Sequence, residues 1–198
     1  MRATGWAIAL LVMAPDPAVA EWQVRPFIGL TFAGATTFQD PEVAIGTQDV
    51  VFGASGGWLG EIFGLEADFG RSSGMFERDD APEAVKLLSS GVTTLTGHVV
   101  VALPRRIAGY GLRPYFSGGA GLMHVDVVGK LGAVDIHRTL PALSVGGGVT
   151  GFLSNRVGVN WDVRRLSTVR GEGETLGNSV GNESLSFWRA TMAVAIRY

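Results

Sequence analysis

Apolar and polar residues alternate with a period of two along much of this chain, and this alternation restricts it to a fold made of β-strands. Segments 21–33, 63–70, 157–164 and 188–198 show it most clearly. In the first of these the apolar positions are Trp22, Val24, Pro26, Ile28, Leu30 and Phe32. Successive side chains of a strand point to opposite faces, so each segment predicts a strand with one apolar and one polar face.

Four further segments, 50–59, 92–103, 113–124 and 142–153, have the length and composition of strands with weaker alternation. Segment 113–124 is so rich in glycine that its two faces cannot be assigned from the sequence. The total is eight predicted strands, each about the 9 to 11 residues that cross a bilayer when tilted. The 29 glycines follow no three-residue period, which excludes a collagen helix and fits strands joined by tight turns.

The connections between these strands alternate in length. The long ones are 34–49, 71–91, 125–141 and 165–186, and the short ones are 60–62, 104–112 and 154–156. The long ones contain the acidic residues Asp40, Glu42, Asp49, Glu77, Asp79, Asp80, Glu83, Glu172 and Glu174. The short ones contain Arg105, Arg106 and Arg156. Short periplasmic turns and long external loops are typical of outer-membrane barrels. A soluble β-sandwich would show the same strand alternation, so other features must separate the two.

The N-terminal segment has the three parts of a secretory signal peptide. Arg2 supplies the positive charge, residues 5–14 form the apolar stretch, and Ala18-Val19-Ala20 matches the cleavage pattern. We predict a signal peptide over 1–20 and secretion through the periplasm. After residue 20 no apolar stretch reaches the ~18 to 20 residues that a membrane helix needs. The predicted fold is therefore all-β: one eight-stranded antiparallel transmembrane up-and-down β-barrel over 21–198.

The distribution of aromatic residues and the composition agree with this fold. Two girdles are expected at the two membrane interfaces, formed by Trp22, Trp58 and Tyr198 on one side and by Phe32, Phe69 and Trp188 on the other. The chain has no cysteine, which excludes disulfides, thiol catalysis and Cys-ligated zinc. Its formal net charge of −2 gives no attraction to nucleic acid.

The C-terminal run Trp188-Arg-Ala-Thr-Met-Ala-Val-Ala-Ile-Arg-Tyr198 ends on an aromatic residue, with apolar residues at every second position before it. Together with 113–121 (RPYFSGGAG) and 63–69 (FGLEADF), it resembles the small outer-membrane barrel family of opacity proteins and the barrel part of outer membrane protein A. The resemblance covers 21–198 and implies a barrel in the bacterial outer membrane. It also implies a signal for the outer-membrane assembly machinery, carried by Trp188, Met192, Val194, Ile196 and Tyr198.

One glycine motif and three histidines are candidates for chemistry. Residues 146–151 (GGGVTG) match the dinucleotide pattern G-x-G-x-x-G, but a strand rather than a helix is predicted to follow, so we reject a nucleotide site. His124 and Asp126 share a strand face near a long connection, and with His137 they could hold a metal ion. No serine lies two residues from His124, so the lipid A deacylase pattern is missing. We favour ordinary polar residues at the rim and expect no catalytic residue, metal or cofactor.

Seven ionisable residues form the sharpest constellation, on strand faces opposite to the apolar ones: Arg25, Glu66, Asp68, His98, Asp162, Arg164 and Arg189. An eight-stranded barrel has an interior just wide enough for side chains, and a buried charge without a partner costs several kcal/mol. We therefore expect charge pairs that plug the lumen. We count depth along each strand from the periplasmic side, at roughly 3.3 Å per residue. By this count Arg25 and Glu66 lie at a similar depth. A second layer, higher in the barrel, contains Asp162, Arg164 and Arg189.

These observations favour a structural or surface-interaction barrel that displays acidic loops and performs no chemistry. The alternatives are an outer-membrane enzyme acting on lipid or peptide, with residues near His124 and His137, and a narrow solute conduit through the charged lumen. The expected partners are outer-membrane lipids, the assembly machinery and an extracellular ligand of the long loops.

Overall fold

The chain forms a closed β-barrel in a computed structural model, which describes residues 21–36, 49–73, 87–105, 107–108, 111–129, 135–169 and 185–198. Eight strands follow one another in chain order. They are β1 (Glu21–Thr36), β2 (Asp49–Leu59), β3 (Phe63–Ser73), β4 (Leu87–Ala102), β5 (Leu112–Gly129), β6 (Asp135–Phe152), β7 (Val157–Thr168) and β8 (Leu185–Arg197). The predicted eight-stranded antiparallel barrel is confirmed.

Each strand pairs antiparallel with its chain neighbour, and β1 pairs with β8 to close the barrel. Closure leaves no unpaired sheet edge. The alternation explains the orientation of the strands: along β3 the residues are exposed and buried in strict turn. The apolar set of β1 faces outward, with Trp22 63% and Ile28 58% exposed, while Arg25 and Phe27 point inward. The faces predicted for β1, β3, β7 and β8 are confirmed.

Two strands extend much further than the sequence pattern predicts. We predicted a long connection over 125–141, but β5 continues to Gly129 and β6 begins at Asp135. Their ladder runs on through the pairs Val125–Arg138, Asp126–His137 and Val128–Asp135. The prediction of a loop there was wrong, because this hairpin keeps its backbone hydrogen bonds and also buries Val125 inside the barrel.

The two ends of the barrel differ. The terminal end carries Glu21, Tyr198 and the connections 60–62, 103–111 and 153–156, and the opposite end carries the other four connections. Inside the opposite end lies an apolar cluster of Val92, Met123, Val125, Ala142, Leu166, Leu185 and Phe187, each at most 3% exposed. Burial of apolar side chains contributes ~25 cal/mol per Å², so this cluster stabilises the barrel. The alternation alone did not predict it.

Arginine side chains link strands and turns at the terminal end of the barrel. Arg113 of β5 donates to the carbonyl oxygens of Gly60 (2.7 Å), Glu61 (2.8 Å) and Leu103 (3.1 Å). Glu21 accepts a hydrogen bond from Arg197 at 2.9 Å and lies 2.6 Å from Arg105. These contacts join the start of β1, the end of β8 and two turns into one rim.

Among the described residues no helix is long and apolar enough to cross a membrane. The predicted signal peptide over 1–20 lies outside the described residues, as do the acidic residues named above for the long connections, with the exception of Asp49. The six proposed girdle residues all lie on the outer surface.

Candidate functional site

The candidate site is a group of charged side chains in the middle of the lumen, which we call the lumen network: Arg25, Glu66, Asp68, His98, Asp162, Arg164 and Arg189. All seven are buried, at 7% exposure or less. Each occupies an inward position of its strand, and the outward positions on either side are apolar or small except for Arg165 next to Arg164. The barrel thereby brings together residues from β1, β3, β4, β7 and β8.

Glu66 is the acidic centre of the network. It pairs with the guanidinium of Arg25 on one side. On the other side its Oε1 lies 2.7 Å from Nη2 of Arg164. One carboxylate thus joins two arginines from β1 and β7, strands that are not paired with each other.

Arg164 and Arg189 lie directly opposite each other on β7 and β8, where two like charges would repel. A carboxylate pairs with each of the two guanidinium groups and offsets its charge. Arg189 donates to Asp68 at 2.8 Å, and Arg164 donates to Asp162 through Nε at 2.5 Å and through Nη2 at 3.1 Å. Each guanidinium therefore has a carboxylate partner at hydrogen-bond distance.

His98 completes the network next to Arg164. Its Nδ1 lies 3.2 Å from Nη1 of Arg164 and 4.0 Å from Oε1 of Glu66. A guanidinium can only donate hydrogen bonds, so the imidazole nitrogen that faces it accepts one, which fits a neutral ring. With His98 neutral, the three arginines balance the three carboxylates and the lumen network has no net formal charge.

The network is connected throughout and does not form the two separate layers that we predicted. By residue count Arg164 belongs to the second layer, whereas Glu66 lies at the depth of Arg25. Yet Nη2 of Arg164 is only 2.7 Å from Oε1 of Glu66. A guanidinium on a long side chain reaches further than the 3.3 Å step per residue on which the prediction was based. The separation into layers was therefore wrong.

Sequence reasoning missed a tyrosine and an asparagine that extend the network. Tyr115 of β5 donates to Asp162 Oδ2 at 2.6 Å, and its ring lies 5.8 Å from the guanidinium carbon of Arg25. Asn160 donates to the Tyr115 hydroxyl at 3.0 Å and to Thr150 at 2.8 Å. The signal for Tyr115 was its position between the outward residues Pro114 and Phe116, but the glycines of β5 obscured the register.

Among the described residues, a small cavity lies on one side of the network and an apolar cluster lies on the other. Toward the terminal end a cavity of about 20 Å³ is lined by Gln23, Arg25, Arg113 and Tyr115 among others. This is room for about one water molecule. Toward the opposite end the buried apolar cluster that includes Met123 and Phe187 lies in the interior. A charged layer and an apolar layer thus lie one above the other.

A second cluster lies outside the barrel wall, where β5 and β6 extend toward the opposite end. Asp126 Oδ1 is 2.7 Å from His137 Nδ1 and 3.1 Å from His124 Nε2. His124 Nδ1 in turn is 2.7 Å from Thr139 Oγ1. The hydrogen bond with His137 is the largest influence on Asp126 and lowers the pKa of its carboxyl group below the usual range. We call these four residues the rim cluster.

The residues proposed for the assembly signal all lie on β8 or directly after it. Trp188, Met192 and Val194 are outward and exposed, Ile196 is partly exposed, and Tyr198 is 83% exposed. The backbone N–H of Tyr198 donates to the carbonyl oxygen of Trp22 at 3.0 Å. The last residue is therefore bound to β1, at the seam where the barrel closes.

Comparison with solved structures agrees with the fold. Neisserial surface protein A is similar with a TM-score of 0.59 at 14% identity, covering 90% of this chain and 99% of that one. The N-terminal β-barrel domain of Pseudomonas aeruginosa OprF gives 0.57 at 14% identity, covering 90% and 97%. The Yersinia pestis attachment invasion locus protein Ail, in complex with the heparin analogue sucrose octasulfate, gives 0.52 at 12%, covering 89% and 98%.

No curated protein matches the sequence significantly. A family model described as an outer membrane protein beta-barrel domain matches residues 5–187, which is most of the chain. The match agrees with the closed barrel and its apolar outer surface. The resemblance suggested by the sequence is thus confirmed, and this chain belongs to the family of outer membrane protein β-barrel domains.

Proposed function

We propose that this outer-membrane barrel has a structural and surface-interaction role, with a lumen closed to solutes and no chemistry of its own. The observation that carries the proposal is the neutral lumen network, whose side chains in ion pairs are at most 8% exposed. A solute conduit needs a continuous aqueous path, and eight strands leave an interior only wide enough for side chains. The apolar cluster at the opposite end supports the same conclusion.

The charge of the long connections supports a role in surface interaction. Segments 37–48, 74–86 and 170–184 each contain two more acidic than basic residues. Long connections of such barrels face the outside. The similar barrel Ail is described in complex with a sulfated heparin analogue. For this chain we propose a ligand of opposite charge, a cationic surface, because acidic loops repel sulfate groups.

A second candidate function is hydrolysis at the rim cluster. Thr139, His124 and Asp126 are hydrogen bonded in series, the order of hydroxyl, imidazole and carboxylate in a hydrolase triad. The side chains of His124 and Asp126 are 42% and 33% exposed, so water screens the charge stabilisation that a triad requires. Hydrolysis of ester and lipid substrates by wild type but not by Thr139→Val would support this candidate.

Surface display can be tested with single cysteines, because the chain has none of its own. Glu174→Cys places a thiol in the connection between β7 and β8, and Asn155→Cys places one in an exposed turn at the terminal end. In intact cells we expect a membrane-impermeant maleimide to label the first variant, and the second only after lysis. The reverse pattern would contradict the proposed orientation. N-terminal sequencing of the same material should give Glu21 if residues 1–20 are removed.

The role of Tyr198 in assembly can be followed with the same label. We propose that Trp188, Met192, Val194, Ile196 and Tyr198 form the surface that the assembly machinery binds. Deleting Tyr198 or changing it to Asp should lower the labelled amount of the Glu174→Cys protein and leave material in the periplasm, because the aromatic terminus is lost. Tyr198→Phe is the matched control and should assemble normally. Equal labelling of the deletion variant would show that this residue is not part of the signal.

A further inference from the structure

The rim cluster contains a set of metal-ligating atoms that the proposed function does not use. One atom each from His124, Asp126 and His137 lies within 4.8 Å of the other two. The ladder between β5 and β6 fixes this arrangement. His124 and Asp126 are two residues apart on one strand face, and His137 lies directly opposite Asp126. Directly opposite side chains begin only about 4.5–5.5 Å apart.

The distances between these ligating atoms are close to the distances between atoms that coordinate one metal ion. Asp126 Oδ1 is 2.7 Å from one imidazole nitrogen and 3.1 Å from the other. Ligands bound tetrahedrally at about 2.0–2.1 Å from zinc are roughly 3.3 Å apart. The side chains of Asp126, His124 and His137 are 33%, 42% and 57% exposed, so they have room to turn until the three ligating atoms, now within 4.8 Å of one another, reach this separation.

Thr139 orients one of the ligands. It lies directly opposite His124 and its Oγ1 is 2.7 Å from His124 Nδ1. A hydrogen bond at one ring nitrogen fixes the tautomer and directs the other nitrogen to the ion, as the outer partners of metal-bound histidines do. His124 Nε2 is the nitrogen that faces Asp126. Thr139 would thus act as a positioning residue for the ligand His124.

The donor types select the class of ion. Two imidazole nitrogens and one carboxylate oxygen suit zinc and neighbouring divalent transition ions, whereas calcium and magnesium prefer sets of oxygen ligands. The cluster lies above the outward apolar residues Leu122 and Leu143, on the part of the hairpin that extends past the apolar band. A bound ion would therefore be in contact with water, which can supply the remaining ligand.

We propose that His124, Asp126 and His137 form a surface site for a divalent transition metal ion of the zinc class, with Thr139 holding His124 in the ligating orientation. The site is independent of the lumen network, whose histidine His98 is 3% exposed inside the barrel. It would brace the extended part of the β5–β6 hairpin by linking its two strands.

The test is calorimetric titration of untagged refolded protein in detergent micelles with zinc sulfate, with excess calcium present throughout. We expect saturable binding of one ion per chain. His137→Ala and His124→Ala should each weaken binding by at least about 100-fold, and Thr139→Val by the roughly 10- to 100-fold that loss of an outer partner costs. Glu61→Gln, at the terminal end, is the matched control for adventitious binding to acidic groups and should bind as wild type does.

Two further readouts make the outcome decisive. Cobalt in place of zinc should give the visible absorption of a low-symmetry site with nitrogen ligands, and this absorption should be absent in the variant His124→Ala/His137→Ala. Unboiled migration on a detergent gel should show that this variant still folds. If the folded double variant binds zinc as tightly as wild type does, or if wild type shows no saturable binding, the proposed site is wrong.

Discussion

Changing Glu66 to Gln should lower the free energy of unfolding of the refolded barrel by about 3–5 kcal/mol, the cost of leaving a buried charge uncompensated. The amide keeps the size of the side chain but removes the charge that joins Arg25 to Arg164. Asp162 still pairs with Arg164, so the larger part of the loss should come from Arg25. Any water in the lumen would reduce the loss by screening.

A second substitution and a surface control identify the cause. Adding Arg25→Met to Glu66→Gln removes the unpaired cation and should restore part of the lost stability. Glu61→Gln makes the same chemical change where an exposed carboxylate accepts a hydrogen bond from the Arg105 N–H at 3.2 Å. This control should change stability by under ~1 kcal/mol. Urea unfolding followed by tryptophan fluorescence provides the measurement, and a Glu66→Gln barrel as stable as wild type would refute the ion-pair account.

The second large effect is expected at Gly119, an inward position of β5. A Cβ atom added there would lie 2.0 Å from the carbonyl oxygen of Gly97 and 2.7 Å from Cδ2 of His98. A backbone oxygen of a neighbouring strand cannot move without distorting the ladder and displacing His98 from the lumen network. We therefore expect Gly119→Ala to destabilise the barrel by about 1–3 kcal/mol or more, the range for overpacking.

The adjacent residue provides the matched control for this prediction. A Cβ atom added at Gly118, on the outward face of the same strand, would meet no atom within 4 Å. Gly118→Ala should therefore fold with wild-type stability or slightly higher, because alanine lowers the entropy of the unfolded chain. Urea midpoints of the two variants and their unboiled migration on a detergent gel give the comparison. Equal stability of the two variants would mean that β5 does not lie in the described register.

The sequence predicts the barrel well because the surroundings impose one rule on the outward faces. Within the apolar band every second residue must be apolar, as in the exposed series Ile28, Leu30 and Phe32 of β1. This rule fixes the phase of most strands and thereby also the inward position of each residue of the lumen network. The pairing between those residues depends on side-chain reach, which residue spacing along a strand does not contain.

The alternation pattern fails to predict the strand where its apolar residues face inward and its polar residues face outward. Above Leu122, β5 has Met123 and Val125 inside and His124 and Asp126 outside, so the apolar and polar faces exchange. This change of phase resembles the end of a strand in the sequence, and it led to the prediction of a loop over 125–141. The rim cluster depends on the register of that extended hairpin, so the sequence could suggest its residues but not that they meet.

The most direct test of the closed lumen is the conductance of refolded wild-type protein in a planar lipid bilayer. In the proposed function the lumen network and the apolar cluster block the interior in succession, so we expect insertion without a steady open level. Insertion can be verified independently by protection of the barrel from added protease. A steady, reproducible ionic conductance from inserted wild-type protein would contradict the plugged lumen and would favour a narrow conduit instead.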